Sequence, residues 1–178
     1  MTEQIDLGRA TRWLSDAELH SWVPFSGMLL NLLSALDAQL QRDARLSLFS
    51  YLVLAGLSEA PEHTMPMSEL AIWANGSLPR LSHAVTSLER RGWVHRSPAP
   101  GNGRVTMATL TESGNAKLVA TAPKHVEAVR RYVLDTLSDE QLSQLGEVSR
   151  AILGVVAGPH ALEVIASTLA NRSKHSSE

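Results

Sequence analysis

Apolar residues recur at helical spacing along most of the chain. In the N-terminal part, Leu29, Leu33, Leu36 and Leu40 follow one another every three or four residues. This spacing predicts a long amphipathic helix that ends near Arg45. Two further leucines make the helix apolar on more than one side, which is typical of a helix that is buried in a larger assembly.

Capping residues predict where the helices begin. Ser15 and Glu18 have the spacing of a capping box at the start of the first helix, and Pro24 predicts a kink or break near Trp22-Val23. Further N-caps and apolar spacing predict helices at Leu48–Ser58 (capped by Ser47, with Phe49 on its apolar side), Glu69–Ala74 (capped by Ser68), Thr111 to about Leu137, from Ser138 to about Gly154, and one or two turns within His160–Ala170. Two prolines predict a loop at Glu59–Pro66.

A different pattern occupies Ser77–Thr111. Ser77 is a good N-cap, and Leu81, Val85 and Leu88 form one apolar stripe before Gly92, which predicts a helix stop. Two short strands follow, Trp93–Arg96 and Arg104–Leu110, separated by a stretch rich in Gly, Pro and Asn. The order of these elements predicts a helix followed by a β-hairpin wing.

A short helix and an Asn75-Gly76 turn directly precede the Ser77 helix. Two helices joined by so short a turn make a helix-turn-helix candidate. Together with the hairpin, the pattern predicts a mainly α fold with a small β-hairpin wing. We expect one integrated subunit, with an N-terminal arm and dimerisation helix at 1–45, a winged helix-turn-helix at 46–111, and C-terminal dimerisation helices at 112–178.

Positive charge is concentrated in the same stretch, although the whole chain has a formal net charge of −2. Between Pro79 and Arg104 the only acid is Glu89, and the basic residues are Arg80, His83, Arg90, Arg91, His95, Arg96 and Arg104. Binding of DNA phosphates needs such a local cluster. Most charge runs are instead solvated, salt-bridged helix faces, but here the acids for such pairs are nearly absent. The cluster therefore favours DNA binding.

The stretch resembles the winged helix-turn-helix of the MarR family of bacterial transcription regulators. The resemblance rests on Gly92-Trp93-Val94, Arg96, Pro98, Pro100, Arg104, Leu110-Thr111 and Gly114. That family usually has Asp-x-Arg at the wing tip, and this chain has Asn102-Gly103-Arg104. The resemblance implies that this aspartate holds the wing arginine in place. We therefore expect the wing of this chain to be looser, or to be stabilised by different contacts. The similarity extends, more weakly, from about Trp13 to Leu153.

The predicted geometry assigns a role to each candidate residue. The Ser77–Arg91 helix would lie in a major groove, where Arg80 is the best candidate for pairing with guanine. Arg104, with Asn102 beside it at the wing tip, would enter a minor groove. For Arg96 the sequence supports two roles equally, an internal salt bridge and a contact with a DNA phosphate. The spacing does not decide between base and phosphate contacts for Ser77, Ser82, His83 and Thr86. For Arg90 and Arg91, at the end of the helix, the alternatives are phosphate contacts and capping of carbonyl groups.

Excess apolar surface in Leu14–Leu40 and Leu118–Leu169 predicts a homodimer, with a monomeric helical core as the alternative. A two-fold dimer would bind a palindromic site on double-stranded DNA. The resemblance further implies a small aromatic or phenolic effector bound near the first helix. The candidate residues that would line its site are Trp13, His20, Trp22, Phe25 and Met28. The alternative interpretation is that these side chains pack in the core or in the dimer interface.

Other function classes have less support. Zero cysteines exclude disulfides, thiolate metal sites and cysteine redox sensing. No phosphate loop, nucleophile elbow or dinucleotide fingerprint is present, so we expect neither an enzyme nor a bound cofactor. Met1–Arg12 lacks an apolar signal region and no apolar run is long enough to span a membrane, which predicts a cytoplasmic protein without a membrane partner. We therefore expect a ligand-responsive repressor. The alternatives are a winged-helix protein-interaction module and a metal-sensing regulator that uses scattered His and Glu residues.

Overall fold

The computed structural model describes residues 11–175 of the chain, with side chains up to residue 167. The first ten residues of the expected N-terminal arm, and the side chains of the polar C-terminal end, lie outside the described part. The chain divides into two compact units, one up to Ser34 and the other from Ala35 onward.

Helix α1 runs from Asp16 to Ala44, and its residues up to Ser34 belong to the first unit. The predicted capping box is confirmed, because the Ser15 backbone N–H donates to the Glu18 carboxylate at 2.7 Å and the Glu18 N–H donates to the Ser15 hydroxyl at 3.3 Å. Of the kink or break expected near Trp22-Val23, the break is wrong, since the helix continues through Pro24. A proline removes one intrahelical hydrogen bond, and long helical segments on both sides maintain the helix here.

Three helices of the second unit form the helix-turn-helix region: α2 at Leu48–Glu59, α3 at Met67–Trp73 and α4 at Leu78–Arg90. The caps predicted at Ser47 and Ser77 are confirmed by their side chains, which accept from the backbone N–H groups three residues later. The start predicted at Ser68 is wrong. Helix α3 begins at Met67, because the extended backbone ends at Pro66 and leaves Ser68 inside the first turn.

The β-sheet has three antiparallel strands in the order β1-β3-β2. Strands β2 (Val94–Ala99) and β3 (Asn102–Leu110) form the predicted hairpin. Strand β1 (Thr64–Pro66) lies within a segment expected to be a loop. It pairs Thr64 with Thr109, whose hydroxyls are 2.9 Å apart. Because β1 is an edge strand, a proline at its end costs no essential ladder bond.

The core of the second unit lies beneath α4. Leu81, Val85 and Leu88 of α4 are at most 1% exposed and pack with fully buried side chains of α2 and α3, such as Leu54 and Leu70. The predicted stripe is therefore the buried face of α4. Burial of this face leaves the polar positions of the helix on the protein surface.

The C-terminal helices are α5 at Glu112–Tyr132, α6 at Asp139–Val156 and α7 at Pro159–His175. The caps predicted at Thr111 and Ser138 are confirmed. Helix α5 ends before the predicted Leu137, because the backbone leaves helical geometry at Val133 and a 3₁₀ turn follows. Helix α7 is longer than the one or two turns predicted.

The start of α5 is closely packed against the end of α4. The hydroxyls of Thr111 and Ser113 both donate to the Gly92 carbonyl at 2.7 Å. A Cβ atom at Gly114 would lie 2.1 Å from the backbone oxygen of Trp93. Position 114 therefore has no room for a side chain.

We expect Gly114→Ala to lower the free energy of unfolding by about 1–3 kcal/mol, because the added methyl group overlaps backbone that cannot move independently. Denaturant unfolding followed by circular dichroism measures this change. Gly146→Ala in α6 is the matched control, since its Cβ would meet nothing nearer than the Arg150 side chain at 3.5 Å. Alanine favours helix, so the control should be neutral or stabilised by up to about 1 kcal/mol. Equal stabilities of the two variants would contradict the close packing at Gly114.

Candidate nucleic-acid interface

Helix α4 presents a polar face because its apolar stripe is buried. Ser77 caps the helix, with its hydroxyl 3.4 Å from the backbone nitrogen of Arg80. Arg80, His83 and Arg90 are exposed along the helix. Ser77 and Thr86 are also exposed and Ser82 is half-buried. Most of the predicted recognition residues thus lie on the accessible side of α4.

The Arg80 guanidinium lies over the ring of Phe49 in α2, with its Cζ atom 4.2 Å from the ring centroid. Among residues 11–167, whose side chains the structure describes, the guanidinium has neither a hydrogen-bond acceptor nor a carboxylate partner. Its hydrogen-bond donors are therefore available to an external ligand. The sequence pattern pointed to Arg80, but it placed Phe49 only on the apolar side of α2.

The wing tip is braced through its backbone. Gly101 takes the left-handed conformation with φ 73°, and the Asn102 side-chain oxygen accepts from the Arg104 backbone N–H at 3.2 Å. Arg104 is exposed, and no acid pairs with it among the described residues. The Asn102 side chain therefore contacts the backbone of the turn, and the Arg104 side chain has no acidic partner among the described residues.

Arg96 is engaged inside the domain. Its Nε donates to Glu89 at 2.8 Å, its backbone N–H donates to the other Glu89 oxygen at 2.9 Å, and its Nη2 donates to the Thr86 hydroxyl at 3.2 Å. Of the two interpretations weighed from the sequence, this geometry favours the salt bridge. Glu89 and Thr86 lie on α4 and Arg96 on β2, so the contacts fix the wing to the helix.

The same contacts perturb the carboxylate. Hydrogen bonding from the Arg96 side chain lowers the pKa of Glu89, with partial burial opposing it and the Arg96 backbone N–H and positive charge reinforcing it. The single acid of the basic stretch is thus ionised and paired with one arginine. It does not neutralise Arg80, Arg90 or Arg104.

Arg91 and Lys117 bind carbonyl groups at the C-terminal end of α1. Arg91 Nη1 donates to the Arg45 carbonyl at 3.1 Å, and Lys117 Nζ donates to the Ala44 carbonyl at 2.9 Å. Both cations also lie near the Trp93 ring, at 5.0 and 5.5 Å from its centroid. Arg91 is therefore used in carbonyl capping, one of its two predicted roles, although the carbonyl belongs to the α1–α2 connection. Lys117 carried no sequence signal for this contact.

The candidate effector residues lie in and next to α1. A shallow groove in the first unit is lined by Leu19, His20, Val23 and Pro24, so only His20 of the predicted set lines it. Trp13 and Trp22 are 84% and 53% exposed. Phe25 is half-buried with its ring 6.1 Å from that of Trp22, and Met28 is exposed. The first unit by itself does not gather the five side chains into one pocket.

Metal-binding clusters and membrane-spanning helices are both missing from the described part of the chain. Among the side chains described, residues 11–167, no three His, Asp or Glu residues group together in a way that suits a metal ion. None of the helices there combines the length and apolar content needed to cross a lipid bilayer.

Known proteins resemble the chain in both sequence and structure. The sequence profile that describes the MarR family matches residues 46–106 of this chain. The structure of Sco3205, a MarR family transcriptional regulator from Streptomyces coelicolor in complex with DNA, is 41% identical with a TM-score of 0.80, and the match covers 83% of this chain and 92% of that one. AbsC, a MarR family transcriptional regulator from the same organism, is 34% identical with a TM-score of 0.78, covering 83% of this chain and 99% of that one.

A more distant similarity is to the transcriptional repressor MprA of Escherichia coli, at 25% identity over 103 residues. The match covers 58% of this chain and 58% of MprA. The chain therefore matches little more than half of that repressor.

We expect Glu89→Gln to lower the free energy of unfolding at neutral pH by about 0.5–1 kcal/mol, the range for an ion pair accessible to water. A lowered carboxyl pKa gives stability that is present above the unfolded-state value of 4.5 and is lost as the pH falls through the folded value. The difference between wild type and variant should therefore shrink below about pH 4.5. Denaturant unfolding at several pH values tests this.

Glu127→Gln is the matched control, because Glu127 is exposed on α5 and has no ion-pair partner in the described part of the chain. Its stability should follow that of wild type at each pH. If Glu89→Gln also followed wild type, the link between wing and helix would contribute nothing measurable.

Proposed function

Because the chain belongs to the MarR family of transcriptional regulators, we propose that it is a ligand-responsive homodimeric repressor that binds a palindromic operator. The observation that carries DNA binding is that Arg80, Arg90 and Arg104 are exposed on α4 and the wing without an acidic partner among the described residues. Sco3205, similar over most of its length, was crystallised in complex with DNA, which supports the same ligand class here.

In the proposed complex, α4 lies in a major groove. Arg80, in its first turn, pairs with a guanine edge, and Ser77 and His83 make neighbouring base or phosphate contacts. Arg90, at the end of the helix, binds phosphate. Arg104 enters the adjacent minor groove, where the negative potential of a narrow groove attracts arginine. Arg96, Arg91 and Thr86 make hydrogen bonds to other groups of the protein and so help to hold this surface in place.

A homodimer is supported by the exposed apolar side chains of both units. In the first unit Val23, Leu30 and Leu33 are 61%, 71% and 56% exposed, and in the second Val155 and Val156 are 88% and 79% exposed. A monomer rarely leaves so much apolar surface in water. A two-fold partner that covers it would present two copies of α4 to the two halves of a palindromic site.

Repression and ligand response are the finer parts of the proposal. The name of MprA as a repressor supports negative regulation. An effector would act by binding the DNA-competent and DNA-incompetent arrangements of the dimer with different affinities. The aromatic and apolar residues of the first unit, Trp13, His20, Trp22, Phe25 and Met28, are its proposed contacts once a second subunit completes the site.

Leu33→Glu should convert the dimer into a monomer, because it places a charge in the proposed apolar interface without a partner. Sedimentation velocity measures the mass. Gln41→Glu adds the same charge to an already polar, exposed position of α1 and should leave the dimer intact. A monomeric wild-type protein, or a Leu33→Glu variant that stays dimeric, would contradict the proposed interface.

Arg104→Ala should weaken binding across all DNA sequences and reduce the slope of log affinity against log salt by about one to two, for one phosphate-like contact per wing. Fluorescence anisotropy with a DNA duplex from upstream of the protein's own gene, at several salt concentrations, measures both quantities. Lys124→Ala removes the same charge from exposed α5 and should change neither. Unchanged affinity of Arg104→Ala would remove the wing from the proposed complex.

A further inference from the structure

Phe49 has an unusual position for a core residue. Its side chain is only 7% exposed, yet one face of the ring carries the exposed guanidinium of Arg80 at 4.2 Å. A guanidinium stacked on an aromatic face is attracted by the negative charge of that face and keeps its N–H groups free for a second partner. The contact therefore restrains Arg80 without using its hydrogen-bond donors.

The ring itself is held by the turn of the helix-turn-helix. A Cβ atom at Gly76 would lie 2.4 Å from Cε2 and 2.6 Å from Cζ of Phe49, so the ring packs directly on the backbone there. The turn is fixed in its own right, since the Gly76 N–H donates to the Ala71 carbonyl at 2.9 Å. The Phe49 ring thus contacts both the Gly76 turn and the Arg80 guanidinium, and it cannot move toward the turn without displacing it.

Restraint of this kind matters more for sequence preference than for overall affinity. A mobile arginine can follow any phosphate, whereas bidentate pairing with guanine requires the guanidinium to approach in one direction. We propose that Phe49 is a positioning residue that directs Arg80 toward a base edge, and that the base preference of the protein depends on it. This inference rests on the proposed DNA-binding function.

The test is a double-mutant cycle on the full-length protein. Wild type, Phe49→Leu, Arg80→Ala and the double variant each select duplexes from a randomised DNA library, and affinities are then measured on the selected site and its single-base variants. Arg80→Ala should lose the preference at one base pair of each half-site. Phe49→Leu should reduce the preference at that same base pair by about three- to fivefold, the worth of an exposed cation–π contact. The double variant should match Arg80→Ala alone.

A purely structural role for Phe49 would give a different result. Val53→Ala is the matched control, because Val53 is fully buried in the same helix, so its truncation should lower the melting temperature while both Phe49 and Arg80 are kept. It should leave base preference unchanged. The salt dependence of binding should stay the same in Phe49→Leu, since no phosphate contact is lost.

The outcomes separate this inference from the function on which it rests. If wild type selects no DNA, the proposed function fails and the inference fails with it. If wild type selects a site and the effects of Phe49→Leu and Arg80→Ala are additive, the inference is overturned while the proposed function stands. The inference is likewise overturned if Val53→Ala relaxes base preference as much as Phe49→Leu does.

Discussion

Burial of one side of α4 is the constraint on which the remaining structure depends. Leu81, Val85 and Leu88 are removed from water against the other helices of the second unit, which fixes the rotation of α4 about its own axis. With that rotation fixed, the first-turn arginine has to lie over Phe49, and the last turn has to bring Glu89 within reach of β2. The direction in which α4 presents its polar side chains is thus a consequence of hydrophobic packing.

The arginines of the basic stretch fall into two groups, those that have a hydrogen-bond acceptor within the protein and those that have none among the described residues. Arg96 is bound by Glu89 and Arg91 by the Arg45 carbonyl, so these two side chains hold elements together. Arg80, Arg90 and Arg104 have no such partner in the part of the chain that the structure describes. The scarcity of acids in this stretch has a physical meaning, because a second carboxylate within reach would have neutralised one of the three.

The sequence predicted most of the framework because its signals are local. The caps at Ser15, Ser47, Ser77, Thr111 and Ser138, the stripe of α4 and the hairpin depend on residues a few positions apart. Strand β1 was missed because Thr64–Pro66 pairs with residues some forty positions later, and its own composition indicates a loop. The contact of Phe49 with Arg80, and the contacts of Arg91 and Lys117 with carbonyls at the C-terminal end of α1, were likewise unpredictable. Each joins side chains that only tertiary packing brings together.

The contact from Arg91 to position 45 has a consequence for how freely the sequence can vary there. The acceptor is a backbone carbonyl, which every amino acid provides, so the link itself places no demand on the side chain at 45. The demand comes from the dihedral angle, since Arg45 has φ 54°, a conformation that glycine and asparagine adopt at little cost and β-branched residues resist. Position 45 should therefore accept residues that tolerate a left-handed backbone, whatever their charge, while the link from Arg91 to its carbonyl is kept.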